Sequence, residues 1–266
     1  MIPIRDLNPT SRLPWVTVGL ILLNVAVFLL WQPTLEGRQA QQAFFFCHAE
    51  IPYEVTHQTT LADGGQGARE AIETDLGATP AEAAGLQQAL GEICPSKSWI
   101  VSLVTAMFLH GGWLHIAGNM LFLWIFGNNV EDRLGHARFL VFYLLGGLAA
   151  SGLELLFSPS STVPSLGASG AIAAVLGAYL VFFPRARVIT LVFFVLLEVP
   201  AVVLLGGWFV LQLFNGVGGL GTHLNQGVAY WAHVGGFLFG MAAALLLFRN
   251  TGPPRRRRVA TWPDVF

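Results

Sequence analysis

The sequence predicts an all-α membrane protein, a bundle of six transmembrane helices with both termini in the cytoplasm. Of its 266 residues, 54% are hydrophobic and only 11% are charged, a balance too apolar for a soluble domain of this length. Six apolar runs approach the roughly 20 residues that a membrane-spanning helix needs. Arginines are concentrated in alternate loops, which is the distribution typical of cytoplasmic loops.

The apolar runs divide the chain into predicted spans. The segment 98–111 is also apolar but merges with the second run, so it is not predicted to be a seventh helix. No small-residue cleavage pattern follows the first run, and we therefore expect a retained helix rather than a removed signal peptide. The six runs lie at residues 15–31, 112–130, 137–157, 169–183, 188–210 and 230–248.

The arginines orient these spans. They follow the second, fourth and sixth runs, whereas the loops 158–168 and 211–229 contain none. We therefore expect the second, fourth and sixth helices to run from the outer face inward. The net charge of -1 gives no indication of a nucleic-acid partner, and the expected surroundings are the lipid bilayer. The orienting arginines are Arg133, Arg138, Arg185, Arg187, Arg249 and Arg255–Arg258.

The same topology divides the chain into four parts. Both cysteines, Cys47 and Cys94, fall in an outer loop, where an oxidising compartment would let them form a disulfide; two unlinked thiols are the alternative. In that loop "PAEAAGLQQAL" favours a short amphipathic helix. The parts are 1–31, the cytoplasmic N-terminus and first helix; 32–98, an extracytoplasmic loop insertion; 99–248, the core; and 249–266, a cytoplasmic basic tail.

The fourth run is short and begins at a serine among small residues, in "SLGASGAIAAVLG". From Ser169 to Phe183 a helix rises only ~22 Å, less than the ~30 Å hydrocarbon core, so Ser169 is expected below the outer surface. The N–H groups and positive dipole end of a helix N-terminus would stabilise an oxyanion there. Gly167 would let a substrate approach closely. The alternative is a plain N-cap serine.

Partners for this serine are predicted at the same depth on two other helices. His233 opens the sixth run near its outer end and would be the general base that a serine nucleophile requires. Glycines at i+3 and i+7 from His233, and small residues after Ser169, predict close packing of these two helices. His115 and Asn119 are i, i+4 neighbours that can donate hydrogen bonds to one oxyanion. His110 is assigned only a supporting hydrogen bond at the loop edge.

Four motifs, "HGGWLHIAGNM", "GNNVEDRLG", "GASG" and "AHVGGFLFG", resemble those of the rhomboid intramembrane serine proteases over residues 100–248. The resemblance implies a six-helix core, a dyad of Ser169 and His233, and an oxyanion site formed by His115, Asn119 and the Ser169 backbone N–H group. It also implies cleavage of membrane-anchored proteins in or near their transmembrane segments. By the same analogy the fifth helix is a lateral gate.

Two features depart from the family pattern. Many relatives carry an aromatic residue four positions after the nucleophile, packed on the catalytic histidine, where this chain has Ala173. This leaves open how His233 is held. The loop 32–98 is longer than in compact relatives, and its role is unassigned.

Four charged residues within the predicted core need an explanation. Glu131 and Arg133 in the turn motif are expected to pair or to cap a helix. Glu154 and Glu198 are carboxyls inside apolar runs, where they are costly unless protonated or hydrogen-bonded. Either one would orient the catalytic histidine only if the family dyad were extended to a triad.

Three other functions compete with proteolysis by a serine. A zinc site formed by His110, His115 and His233 is disfavoured because the chain lacks H-E-x-x-H and the first two histidines do not share a helix face. A transporter would show internal repeats, and none is apparent. A catalytically silent relative that binds transmembrane helices is the main alternative. We predict neither a metal nor a cofactor, transmembrane proteins as substrates, and a location in a bacterial inner membrane.

Overall fold

The computed structural model describes residues 1–219 and 228–248, so the predicted basic tail lies outside the described residues. Most of the described chain is helical. The helices are α1 (Trp15–Ala26, continuing as a π-helix over Val27–Trp31), α2 (Arg38–His48), α3 (Pro52–His57), α4 (Gly65–Leu76), α5 (Pro80–Ile93), α6 (Trp99–Thr105, with a 3-10 turn at Ala106–Phe108), α7 (Trp113–Phe122, with a π-helix at Leu123–Gly127), α8 (Asn128–Leu134), α9 (His136–Phe157), α10 (Ser169–Phe182), α11 (Ala201–Gly219) and α12 (Tyr230–Leu246).

A three-stranded antiparallel sheet corrects the predicted all-α fold. Strand β1 (Ile2–Asp6) pairs with β2 (Arg187–Val192), and β2 pairs with β3 (Val195–Pro200). The fifth span predicted at 188–210 is therefore wrong, since a hairpin fills its first part and α11 begins only at Ala201.

The physical reason for this error is that an apolar run does not by itself distinguish a strand from a helix. The hairpin is rich in β-branched residues, which favour strands, and Pro200 stands at the end of β3, where its missing N–H group removes no ladder bond. The correction moves the helix toward the C-terminus, as far as Gly219.

The apolar helices are compatible with a membrane bundle of the predicted family. By length and composition α9 and α11 each suffice to cross a bilayer, and α6 and α7–α8 suffice as one pair bent by 78°. Three further apolar helices are shorter, namely Trp15–Trp31, α10 and α12. The count of six spans and the cytoplasmic termini stay predictions.

Residues 32–98, which we call the inserted module, are mostly helical rather than an extended loop. Helices α2 to α5 lie within this module, and α5 begins at a capping box between Thr79 and Glu82. Cys47 and Cys94 are joined in a disulfide. The module has a small hydrophobic core of its own, which comprises Ile51, Tyr53, Leu61, Ala68, Ile72, Ala83 and Leu90.

Helix α10 lies at the centre of the bundle, between α9 and α12. The backbones of α10 and α12 approach so closely that a side chain at Gly236 would collide with the carbonyl of Gly170. One at Gly240 would likewise collide with the carbonyl of Ala174. Close packing of these two helices, predicted from their small residues, is confirmed.

The two ends of the bundle are held by different parts of the chain. The inserted module lies at the end where α10 begins, because Glu50 forms a β-bridge with Ser165 just before that helix. The sheet lies at the opposite end, where Tyr179, near the end of α10, donates a hydrogen bond of 2.8 Å to Asp6 of β1. Burial raises the pKa of Asp6 to about 6.

Glu131 caps a helix at the sheet end, as one of the two sequence alternatives stated. Its carboxylate accepts hydrogen bonds at the start of α1, including 2.7 Å from the Thr17 backbone, and lies 2.5 Å from His136. Arg133 does not pair with Glu131. Its guanidinium instead lies 5.3 Å from the centre of the Phe182 ring, a cation–π distance.

Candidate active site

Ser169 is placed by a tight turn at the module end of the bundle. It is the first residue of α10, and the N-cap position belongs to Ala168, so the N-cap explanation of this serine is wrong. Gly167 has φ +131°, a conformation that favours glycine. A side chain there would also lie 2.9 Å from Nε2 of His115. The backbone conformation and the lack of room for a side chain therefore both require glycine at position 167, two residues before Ser169.

His233 contacts the serine from α12. The distance between His233 Nε2 and Ser169 Oγ is 2.8 Å, a hydrogen bond of ordinary length. The two residues belong to different helices and are half-buried. The close approach of the α10 and α12 backbones is what brings the imidazole within reach of the hydroxyl.

Gln212, on α11, is a site residue that sequence reasoning missed. Its Oε1 lies 2.8 Å from Nδ1 of His233, so both imidazole nitrogens have protein partners. Trp208, one turn earlier on α11, lies 5.7 Å from the imidazole, ring centre to ring centre. Ala173 of α10 has no aromatic ring to pack on the histidine. Helix α11 holds His233 instead, through Gln212 and Trp208. The sequence feature that could have identified this residue is a glutamine among apolar residues. Because the fifth span was predicted to end at residue 210, Gln212 fell outside the membrane.

His115 and Asn119 both lie on α7. His115 Nδ1 accepts a 3.2 Å hydrogen bond from the Gly111 backbone. A point beside Gly167 lies 2.9 Å from His115 Nε2 and 3.5 Å from Ser169 Oγ, so these two atoms flank the same small space. Asn119 is buried, and its Nδ2 has no hydrogen-bond partner among the described residues. The arrangement contains two side-chain donors available to a ligand.

His110 makes supporting hydrogen bonds through its backbone, both of them with the side chain of Gln32. Its N–H donates to Gln32 Oε1 at 2.9 Å, and its carbonyl accepts from Gln32 Nε2 at 2.8 Å. The His110 ring is buried, packs edge-on against His115 at 5.2 Å, and has no hydrogen-bond partner among the described residues. It supports the position of His115 by packing.

Neither intramembrane carboxyl considered from the sequence contacts the imidazole. Glu154 accepts a 3.1 Å hydrogen bond from the Ala232 backbone and so caps the start of α12. Glu198 lies on β3, where it pairs with Arg187 at 3.0 Å across the hairpin. The group that orients His233 is an amide from α11 instead.

Comparisons with known proteins agree with the motifs. A family model described as Rhomboid domain matches residues 97–250. The chain is 30% identical to Rhomboid protein 1, mitochondrial, of Saccharomyces cerevisiae over 60% of this chain and 45% of that protein. It is 26% identical to RHOMBOID-like protein 6, mitochondrial, of Arabidopsis thaliana over 90% and 70% of the two lengths. It is 47% identical to Rhomboid protease GluP of Bacillus subtilis over 29% and 15%. The chain thus spans less than half the length of the yeast relative.

Proposed function

This chain belongs to the rhomboid family, and we propose that it is an intramembrane serine endopeptidase that cleaves membrane-anchored proteins within or near their transmembrane segments. One observation carries the proposal: the 2.8 Å contact between Ser169 Oγ and His233 Nε2, made by residues of two separate helices. A hydroxyl becomes an effective nucleophile when a positioned base takes its proton.

The hydrogen bond that Gln212 accepts from His233 supports one imidazole nitrogen as the base. An amide oxygen only accepts hydrogen bonds, so His233 carries its proton on Nδ1, facing Gln212 Oε1. Its Nε2 then holds a lone pair toward Ser169. The serine oxygen attacks the substrate carbonyl as its proton passes to Nε2, and the imidazolium returns that proton to the departing amine. Water then releases the acyl group from the serine, with His233 again taking and returning the proton.

The oxyanion of the tetrahedral intermediate is stabilised by donors on α7. Since His115 Nδ1 accepts from the Gly111 N–H group, the neutral ring carries its hydrogen on Nε2, on the side of Gly167. The Nδ2 group of Asn119 and the Ser169 backbone N–H at the helix start are the other donors. Donors fixed before the reaction are worth about 3 to 4 kcal/mol each in such sites.

The proposed topology has six spans with both termini in the cytoplasm, so that the site opens to the outer side and α11 is the lateral gate. The lipid bilayer and transmembrane substrates are the partners. A bacterial inner membrane stays a prediction, because two of the relatives above are mitochondrial by name and the third comes from a bacterium.

A catalytically silent helix-binding relative is the alternative, and one experiment separates the two. We expect a fluorophosphonate probe to label the detergent-purified chain and the chain to cleave a model transmembrane substrate. Ser169→Ala should abolish both, because no hydroxyl remains to attack. Ser96→Ala, at an exposed serine of the inserted module, is the matched control and should react normally. Cleavage by the Ser169→Ala variant would remove the serine from its role, and an unreactive wild type would favour the silent alternative.

A further inference from the structure

A large cavity lies above the candidate site, between the inserted module and the bundle. Its volume is about 850 Å³, within the range of ligand-binding clefts. The module forms one wall through α3 and α4, the loop 158–166 forms a second, and the start of α12 forms a third. The insertion is therefore part of the entrance to the site rather than a separate appendage.

The module also holds the loop that leads into Ser169. Asp75 accepts a 2.7 Å hydrogen bond from the Thr162 backbone, and the Tyr53 backbone donates to the Ser161 carbonyl at 2.9 Å. The Ser165 backbone donates to the Glu50 carbonyl at 2.7 Å. These bonds fix the module wall relative to the nucleophile.

The cavity reaches the proposed oxyanion site through His115. His115 and Gly111 are among its lining residues, together with Leu166 of the loop before Ser169. A polypeptide whose scissile bond lies at Ser169 would therefore place its neighbouring extramembrane residues in this cavity. Extended chain covers about 3.3 Å per residue, so five residues reach roughly 17 Å from the cleaved bond.

The charge of the lining is one-sided. Three carboxylates line the cavity, those of Glu70, Asp75 and Glu154, and no lysine or arginine does so among the residues that the structure describes. Asp75 and Glu154 already accept backbone hydrogen bonds. Glu70 is exposed, and its hydrogen bond is to the neutral amide of Gln66. Glu70 is therefore the negative charge most accessible to an incoming cation.

Aromatic rings complete the lining near the carboxylates. Tyr53 lies on the module side, and Trp231 stacks on Phe157 at 3.8 Å on the bundle side, all three lining the cavity. Aromatic faces attract lysine and, more often, arginine side chains. Carboxylates and aromatic rings together favour a cationic side chain over an anionic one.

We propose that this cavity is a substrate subsite in which the inserted module, through Glu70, selects an arginine or lysine in the extramembrane segment adjoining the scissile bond. The subsite rests on the proposed proteolytic function, whose own check is the fluorophosphonate labelling of the wild-type chain. Residues 32–98, whose role the sequence did not indicate, would therefore serve in substrate selection.

The test uses the full chain in proteoliposomes and model substrates that differ in one residue. Arginine, glutamine or glutamate is placed in turn at each position within about five residues of the cleaved bond on its extramembrane side. At one or more positions we expect kcat/KM to be roughly tenfold higher for arginine than for glutamate, with a preference that weakens as salt is added. Glu70→Lys should reverse that preference, since it replaces the accessible negative charge by a positive one.

Glu73→Lys is the matched control, because it makes the same change of charge on the same helix at a residue that does not line the cavity. Its charge preference should equal that of the wild type. Equal cleavage of all three substrates by a wild type that is labelled by fluorophosphonate would overturn the subsite and leave the protease intact. A preference that survives in Glu70→Lys would overturn it too. A wild type that is not labelled would overturn the proteolytic function itself.

Discussion

At the scale of single residues, Gln212 is the side chain that determines how the histidine works. A serine hydrolase needs its imidazole in one tautomer and one orientation, and many enzymes use a buried carboxylate for this purpose. Here a neutral amide at 2.8 Å does so, and neither Glu154 nor Glu198 contacts the ring. A neutral orienter avoids the cost of an ionised carboxylate within apolar surroundings.

We therefore expect Gln212→Leu to lower kcat by about tenfold, the effect of losing one buried hydrogen bond, while KM for a transmembrane substrate stays unchanged. The measurement is steady-state cleavage together with the rate of fluorophosphonate labelling, which should fall in parallel. Gln212→Glu keeps an acceptor of the same length and should retain more activity than the leucine variant. Wild-type kinetics in Gln212→Leu would show that the contact has no role in positioning.

At the scale of elements, the close approach of α10 and α12 is what assembles Ser169 with His233. Glycines and alanines along both helices could be recognised in the sequence because small residues are the ordinary means of close packing in membranes. Hence the Ser–His contact could be predicted without coordinates. The contact from Gln212 of α11 could not be predicted, because the apolar run 188–210 does not reveal where the hairpin ends and the helix begins. An error of about a dozen residues at that boundary placed Gln212 outside the span.

Helix approach provides a direct prediction at Gly240. A methyl group there would collide with the Ala174 carbonyl, so Gly240→Ala should force the helices apart, lengthen the Ser–His contact and lower both activity and thermal stability. Gly207→Ala on α11 is the control, because nothing lies within 4 Å of its added methyl group. Cleavage rate and melting temperature in detergent measure the two effects. Equal behaviour of the two variants would contradict the close-packing account.

At the scale of the whole molecule, the inserted module and the bundle meet at a buried carboxyl. Glu50 is 3% exposed, its Oε2 accepts a 2.6 Å hydrogen bond from Ser151 of α9, and its backbone bridges to Ser165. Burial, aided by the nearby charge of Glu154 and opposed by the hydrogen bond from Ser151, raises the pKa of Glu50 to about 7. The junction that holds the cavity wall in place therefore contains a group that changes charge near neutrality.

This junction predicts how stability depends on pH. The native protein keeps the Glu50 proton up to about pH 7, whereas the unfolded chain releases it near 4.5. Because the native state binds more protons between these values, stability falls as pH rises through that window, by roughly 3 kcal/mol at most. Asp6, whose pKa is raised to about 6, also lowers stability as pH rises. The contribution of Glu50 is therefore measured by comparing the wild type with a variant.

Melting temperatures in detergent should decline more steeply from pH 5 to pH 8 in the wild type than in Glu50→Gln, which cannot ionise at this position. Parallel curves for the two proteins would show that Glu50 has the same proton affinity folded and unfolded.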